Sequence, residues 1–297
     1  MFVPLVAPLG VGLINSLKAR IQKRRGASLL QPYRNLWKLF YKDEVISRDA
    51  SFIFRFAPFI AMGVTIIVGA CLPIFTSTLS TPMSDLLAVV YTLALGTFFM
   101  ALAGMDSGSA FGGSGSSREM TISAIVEASF ISSILTVAFL SGTTNIAVMS
   151  AGLSPGSGNF LIPIVLAFAA FCIVLLAETS RYPFDNPDTH LELTMIHESM
   201  LLEFSGKRLA LMEWAAANRL LIFSILAVNL FFPIGIAHDQ AVLSVLLGIS
   251  STLLKVAIVY IVLAVLESTI AKYRFFRLPD LLLVAFVLNV VAIGLVL

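Results

Sequence analysis

Charge is what this sequence has least of. Lys, Arg, Asp and Glu make up 12% of its 297 residues, about half the share a soluble domain carries. With 58% hydrophobic residues and a mean hydropathy of +0.96, too little polar surface exists to face water, so lipid must be the main solvent. Cysteine is almost missing too. Cys71 and Cys172 lie in apolar runs without a CxxC spacing; they read as buried membrane thiols. No set of residues fits an iron–sulfur, zinc or haem ligand pattern, so electron-transfer chemistry would have to reside in a partner. Net charge is only +2, which gives no reason to expect nucleic acid. Tryptophan is scarce (2) beside 23 phenylalanines, a balance that suits lipid and helix packing. The N-terminus lacks the basic start and small-residue cleavage site of a secretory signal. Its cations begin at Lys18, after the apolar run, as in an uncleaved first helix.

What is present is a series of apolar runs. Spanning helices need roughly 17–25 mostly apolar residues, and eight stretches qualify: about 1–17, 56–75, 84–104, 120–140, 159–177, 210–236, 241–267 and 280–297. The first and last sit at the lower limit. The runs are continuous and do not alternate with period two, which argues against strands; helices satisfy their own backbone in lipid. The expected fold is an all-α polytopic membrane protein of one domain. Seventeen of the 19 basic residues fall in the loops 18–55, 105–119, 178–209 and 268–279, all on one side. The positive-inside rule makes that side cytoplasmic and, with an even helix count, puts both termini outside. No tandem repeat is visible.

Two loops stand apart. Residues 104–119, GMDSGSAFGGSGSSRE, match neither a Walker A motif nor a dinucleotide fingerprint. They read as a flexible or tightly turned loop, or as a place where small residues let the backbone press against a partner or cavity wall. The segment 178–208, ETSRYPFDNPDTHLELTMIHESMLLEFSGKR, gathers Glu178, Asp185, Asp188, Glu192, Glu198 and Glu203 with His190 and His197. Pro183 and Pro187 break the preceding helix. Thr189 with Glu192 fits a capping box, so a helix is expected from near His190 to Phe204, stopping at Gly206. Metal binding is disfavoured: HESM is not HExxH, and histidines two turns apart span about 10 Å. The segment is then either a solvated face or a line of ionisable groups leading protons inward.

Intramembrane charges favour the second reading. Glu127, Glu213, Arg219, Lys255 and Glu267 fall inside apolar runs, where a charge costs about 2.5–3.5 kcal/mol on insertion scales. Such groups pair within the bundle or line a wet path. A structural pair, such as Lys255 with a glutamate, is the plainer alternative.

Three stretches now resemble a known family: ARIQKRRGASLLQPYRNLWKLFYKDEV at 19–45, AGMDSGSAFGGSGSSREMTISAIVE at 103–127, and ETSRYPFD at 178–185 with LEFSGKR at 202–208. Together they resemble the subunit 1 family of respiratory complex I, and within it the membrane subunits of formate hydrogenlyase and hydrogenase-4-type complexes. The resemblance implies a subunit joining an electron-transfer arm to an ion-translocating membrane arm in the cytoplasmic membrane of a prokaryote. It implies [NiFe] and Fe–S centres in hydrogenase-like and Fe–S partner subunits, and antiporter-like membrane partners. It matches Glu178, Arg181, Asp185, Glu192 and Glu203 to an acidic funnel and Glu127 to an acid leading onward. The sequence departs from complex I at Asp185-Asn186-Pro187-Asp188-Thr189-His190 and at Lys272–Arg277. These departures favour the hydrogenase-type branch over a quinone-chamber subunit, and His190 and His197 suit proton relay with an ordinary pKa near 6.5. The expected ion path comprises Glu127, Glu178, Asp185, Asp188, His190, Glu192, His197, Glu203, Glu213, Lys255 and Glu267. Arg24, Arg25, Arg34, Lys38, Arg118 and Arg181 are expected to dock a soluble partner, against the simpler reading of the first loop as ordinary topology. An independent cation transporter and a pure scaffold remain as other function classes.

Overall fold

A computed structural model describes residues 2–47, 50–75, 84–152, 161–185, 195–237 and 242–297. Among them are eleven α-helices and no strand: α1 (Phe2–Ile21), α2 (Gln31–Phe40), α3 (Phe52–Cys71), α4 (Leu86–Asp106), α5 (Ala110–Ser141), α6 (Ile146–Gly152), α7 (Leu161–Glu178), α8 (His197–Leu201), α9 (Gly206–Phe231), α10 (Val242–Thr269) and α11 (Leu278–Gly294). Eight are long and apolar enough to cross a bilayer: α1, α3, α4, α5, α7, α9, α10 and α11. Each of the eight apolar runs of the sequence forms one of these helices, and the chain is an all-α polytopic membrane protein.

α9 is the axis of the bundle. It is buried from Leu220 through Phe231 and touches α1, α2, α3, α7 and α10. α5 and α7 flank it, and α11 packs against both of them. Aromatic rings lock the half far from the basic loops. Phe130 of α5 lies 5.1 Å from Phe223 of α9 and 5.9 Å from Phe171 of α7, and Phe171 lies 5.3 Å from Phe231. Polar glue also acts at depth: the Asn289 amide of α11 donates to the Ser129 carbonyl and Ser133 hydroxyl of α5, both at 2.9 Å. In lipid such bonds fix helix register where apolar contact alone would not.

Three expectations need correction. The Gly/Ser-rich stretch is not a loop beyond Ser109. It forms the first turns of α5, which at 32 residues is about 48 Å long, well beyond the roughly 30 Å of a hydrocarbon core. Small residues serve close packing here. A Cβ on Gly112 would meet the Gly104 carbonyl of α4, and one on Gly115 would meet the Ser199 hydroxyl of α8. The helix expected over 190–204 is, among the described residues, only α8. Met195 and Ile196 are not helical, because the Asp185 carboxylate takes the Ile196 and His197 N–H groups at 3.0 and 2.9 Å and starts the helix there. Gly206 does not end a helix but opens α9. Its φ of +55° and the nearby Asp43 and Lys42 carbonyls leave no space for a side chain. The first span also proves longer than expected, reaching Ile21.

Caps explain other boundaries. Ser51 begins α3 about a turn earlier than the apolar run suggests, accepting from Ile53 N–H. Asp106, at the end of α4, accepts from Ser51 N–H and hydroxyl at 2.9 Å and from Phe54 N–H at 3.1 Å. The aspartate of the GMDSGS motif is therefore a helix cap, placed where a carboxylate complements the N-terminal dipole of α3.

Candidate functional site

A cleft of about 460 Å³ opens at the basic end of the bundle between α1, α2, α3, α4 and α9, beneath α8. Its deep walls are apolar, with Val64, Leu93 and Leu220. Its titratable lining comes from Glu178, Arg181, His197, Glu198, Glu213 and Arg219. On α9, Glu213 and Ala216 are exposed although Met212, Ala215 and Ala217 beside them are buried; they are the face turned to the opening. Its lining on α9 ends at Leu220. Beyond Leu220 lies the phenylalanine cluster, and a second cavity at the far end, near Asn229, measures about 10 Å³, room for one water at most.

The central contact is an ion pair. Arg219 of α9 pairs through Nη2 with Glu178, the last residue of α7, and the same nitrogen donates to Thr97 Oγ1 of α4 at 2.7 Å. Arg219 Nε is buried and bonds no other described protein group. A buried guanidinium is tolerable only when paired, so three helices are committed to holding it. His197 lies on the same wall with its Nδ1 buried and unbonded. Burial, then the positive charge of Arg219, push its pKa from 6.5 down to about 4, against a smaller upward pull from Asp185. At neutral pH the imidazole is uncharged.

Around the cleft, other expected path residues are tied into ion pairs. Asp185 binds Lys272 at 2.6 Å besides capping α8. Glu267 of α10 binds Arg181 at 2.9 Å and Lys18 of α1 at 3.5 Å. Lys18 also lies 5.4 Å from the Tyr182 ring. Arg208 pairs with Glu44, and Ser205 bonds both backbone groups of Val45, fastening the first loop to the start of α9.

The expected ion-path residues thus separate. Glu178, His197 and Glu213 share the cleft. Asp185 and Glu267 stand beside it as buried ion-pair partners. Glu127 sits deeper on α5, half-buried, accepting from Ser123 Oγ at 3.2 Å. Glu203 is exposed and does not line the cleft. Lys255 is remote from the acids: it donates to Asn229 Oδ1 at 3.0 Å and the Phe232 carbonyl at 3.1 Å. There it caps the C-terminus of α9, where a cation is favoured, so the pairing with a glutamate is not what holds it. Asp188, His190 and Glu192 lie outside the described residues. Of the expected docking residues, Arg24, Arg25, Arg34 and Lys38 are exposed. Arg181 is not: it is 8% exposed and spent on Glu267. Arg118 is half-buried and donates to the Met195 carbonyl at 3.0 Å, tying α5 to the segment before α8. Among the described residues no three His, Cys, Asp or Glu side chains are grouped to hold a metal.

Two residues of the site do not stand out in the sequence. Arg219 shows there as an intramembrane charge without a role. Glu119 shows only as the end of the Ser-Arg-Glu stretch, yet it stands within electrostatic reach of Arg219, Glu178 and Asp185. The spacing of four from Glu119 to Ser123 to Glu127 is the available sign, hidden because glycine and serine give the segment the look of a loop.

The whole chain, residues 1–297, matches the family model described as NADH dehydrogenase. It is 34% identical over 274 residues to hydrogenase-4 component C of Escherichia coli (strain K12), covering 91% of this chain and 85% of that one. To formate hydrogenlyase subunit 4 of the same organism it is 30% identical over 270 residues, covering 91% and 87%. To a subunit of the NADH-quinone oxidoreductase of Burkholderia vietnamiensis it is 27% identical over 260 residues, covering 84% and 72%. A chain in the structure of the membrane-bound sulfane sulfur reductase, an archaeal respiratory membrane complex, superposes with a TM-score of 0.84 at 23% identity over 98% of this chain and 96% of that one. That last likeness is one of fold.

Proposed function

The chain belongs to the NADH dehydrogenase family, and we propose that within it this protein is the membrane subunit of a hydrogenase-4 or formate-hydrogenlyase-type complex. In this reading it anchors an electron-transfer arm on its basic side and couples the redox reaction to movement of protons or Na⁺. That side faces the cytoplasm, the termini face outward, and the membrane is a prokaryotic inner membrane. The partners are [NiFe]-hydrogenase-like large and small subunits with Fe–S subunits, and antiporter-like membrane subunits. The hydrogenase relatives support the choice of branch.

The observation that carries the reading is the polar cleft at the basic end, whose lining on α9 ends at Leu220. Glu178, Glu213 and neutral His197 line it at the basic end, where a docked arm would cover it. Beyond Leu220 the helices close on apolar rings. A stand-alone transporter needs access to both faces; a cleft at the basic end, backed by aromatic rings, suits a subunit whose ions pass to a neighbour. Protons enter from the basic side. His197 accepts one only transiently, because burial and Arg219 disfavour its cation. Glu178 is held by Arg219, so a proton on Glu178 loosens that pair and changes the field at Glu127, which senses both charges. Redox centres belong to the partners; this chain positions, conducts and seals.

The test is purification of the intact complex in mild detergent. A co-purifying nickel-binding large subunit, together with loss of proton movement in Glu213→Gln, is the expected outcome. Proton movement by the chain alone in liposomes would overturn it. A second reading, a quinone-chamber subunit of an NADH-quinone oxidoreductase, rests on the size and apolar walls of the cleft and on two buried unbonded atoms, His197 Nδ1 and Arg219 Nε, able to meet a ligand carbonyl. Co-purification of a flavin-containing NADH module would favour it.

A further inference from the structure

The chain turns back on itself after α1. A Cβ on Gly26 would meet Ala19 and Ser16, and one on Gly12 would meet the Leu29 carbonyl and the Pro32 ring. Residues 22–32 therefore run back along α1 towards its N-terminus. α2 starts beside Gly12, which lies six residues, about 9 Å, before Lys18, the first charge of α1. Tyr33 reaches further still, to the Leu5 carbonyl. The other end of α2 is fixed at a similar depth. The Phe40 ring lies 6.2 Å from that of Trp214, which stands eight residues, about 12 Å, inside the start of α9. α2 thus lies across two spanning helices, inside their basic ends. Interfacial amphipathic helices rest at such a level, about 5–10 Å into the boundary of headgroups and acyl chains.

Its two faces differ in kind. Leu36 is buried, and Pro32, Asn35 and Leu36 line the cleft. Arg34, Trp37, Lys38 and Tyr41 follow at spacings of three, one and three and are all exposed; such positions share one helix face. Trp37 and Tyr41 are 67% and 73% exposed, and their rings pair at 5.1 Å. Leu29 and Leu30, just before the helix, are exposed as well. Among the described residues neither Arg34 nor Lys38 meets a carboxylate. In water this face would expose apolar rings and leave two charges uncompensated. At a bilayer interface both are satisfied: indole and phenol rings settle at headgroup level, and long cations snorkel outward to phosphate.

We propose that this face of α2 is a binding site for an anionic phospholipid, with Arg34 and Lys38 on the headgroup phosphate and Trp37 and Tyr41 against the glycerol and upper acyl chain. Two cations without a carboxylate select a headgroup of net negative charge. The inference does not depend on ion coupling. It reassigns two of the cations expected to dock a soluble arm, because such an arm would have to cover Leu29, Leu30 and Trp37 at a depth that lipid already fills. The opposite face of α2 is a wall of the cleft, so the bound lipid braces that wall from outside.

The test uses the full chain in the complex in which it purifies, placed in phosphatidylcholine nanodiscs. Phosphatidylglycerol and phosphatidylcholine, each brominated on the acyl chain, are added in turn as the minor lipid. Quenching of Trp37 is read as the difference between wild type and Trp37→Phe. Each cation near the surface favours anionic lipid about fivefold, so brominated phosphatidylglycerol should quench at roughly 25-fold lower content than brominated phosphatidylcholine. Arg34→Gln and Lys38→Gln should each cut that preference about fivefold, and high salt should erode it. Arg34→Lys should keep most of it. Should a variant fail to assemble, the ratio of the two lipids in the wild type still decides. Equal quenching by both overturns the site, since the helix would then rest in the interface without choosing a headgroup. No quenching by either places Trp37 under a protein partner and overturns it too.

Discussion

The indole N–H of Trp214 donates to the carbonyl of Pro4 at 2.8 Å. That carbonyl needs an outside donor, because four residues on, where the helical N–H should be, stands Pro8. The break in α1 is thus mended by α9. Tyr33 of α2 donates to the next carbonyl, that of Leu5. A proline flaw in one membrane helix thus fixes the place of α9, and Pro8 itself lines the cleft wall.

Trp214→Phe should lower thermal stability in detergent by the cost of a buried unpaired carbonyl, about 1–3 kcal/mol. In a Pro8→Ala background, where residue 8 supplies its own N–H, the same change should cost clearly less. Equal losses in both backgrounds would show that the indole contributes packing alone.

Glu178→Gln should destabilise the chain by about 3–5 kcal/mol, since it strands the Arg219 guanidinium in a buried setting. The double variant Glu178→Gln with Arg219→Met should recover much of that loss. A double-mutant cycle on thermal unfolding of the intact complex measures the coupling; additive losses would mean the pair is not an energetic unit.

Asp185→Asn should act first on structure. Its carboxylate holds the Ile196 and His197 amides, and hydrogen bonds to a charged group are worth about 1.5–3 kcal/mol. Hydrogen exchange across 195–201 should quicken by about ten- to a hundredfold. Unchanged exchange with lost proton movement would instead return Asp185 to the conducting path.

His197 predicts a pH effect with a definite sign. Its folded pKa, about 4, lies below the ordinary 6.5. Above pH 6.5 both states are neutral and the group contributes nothing to pH dependence. As pH falls from 6.5 towards 4, the unfolded chain takes a proton that the folded one refuses, so stability drops across that window and levels off below it. His197→Asn should flatten this part of the stability profile; a profile identical to wild type over pH 4–6.5 would count against a neutral buried imidazole.

Much of the architecture is legible in the sequence because lipid is a strict solvent. It requires about 20 apolar residues per crossing, and each of the eight runs forms a helix. Boundaries are less legible where polar caps, not hydropathy, decide them. Ser51 and Asp106 move the start of α3, and neither residue is apolar. The site is legible in part. Glu178, His197 and Glu213 are marked by their chemistry and meet in the cleft. Lys255 is marked for the same reason, but it is a helix cap at the far end of α9. Glu119 is hidden because glycine and serine ordinarily argue against a helix, and here tight contact with α4 and α8 overrides that propensity.

The sequence by itself determined how many helices are long and apolar enough to cross a membrane, on which loops the basic residues gather, and which residues are too polar to lie in lipid without a reason. Each of these follows from transfer energies that act residue by residue. Only the tertiary structure decided which charges pair. Arg219 with Glu178, Glu267 with Arg181 and Lys18, and Asp185 with Lys272 join residues 41, 86, 249 and 87 positions apart. Such pairings depend on how helices pack, and no local rule of composition or spacing contains that information.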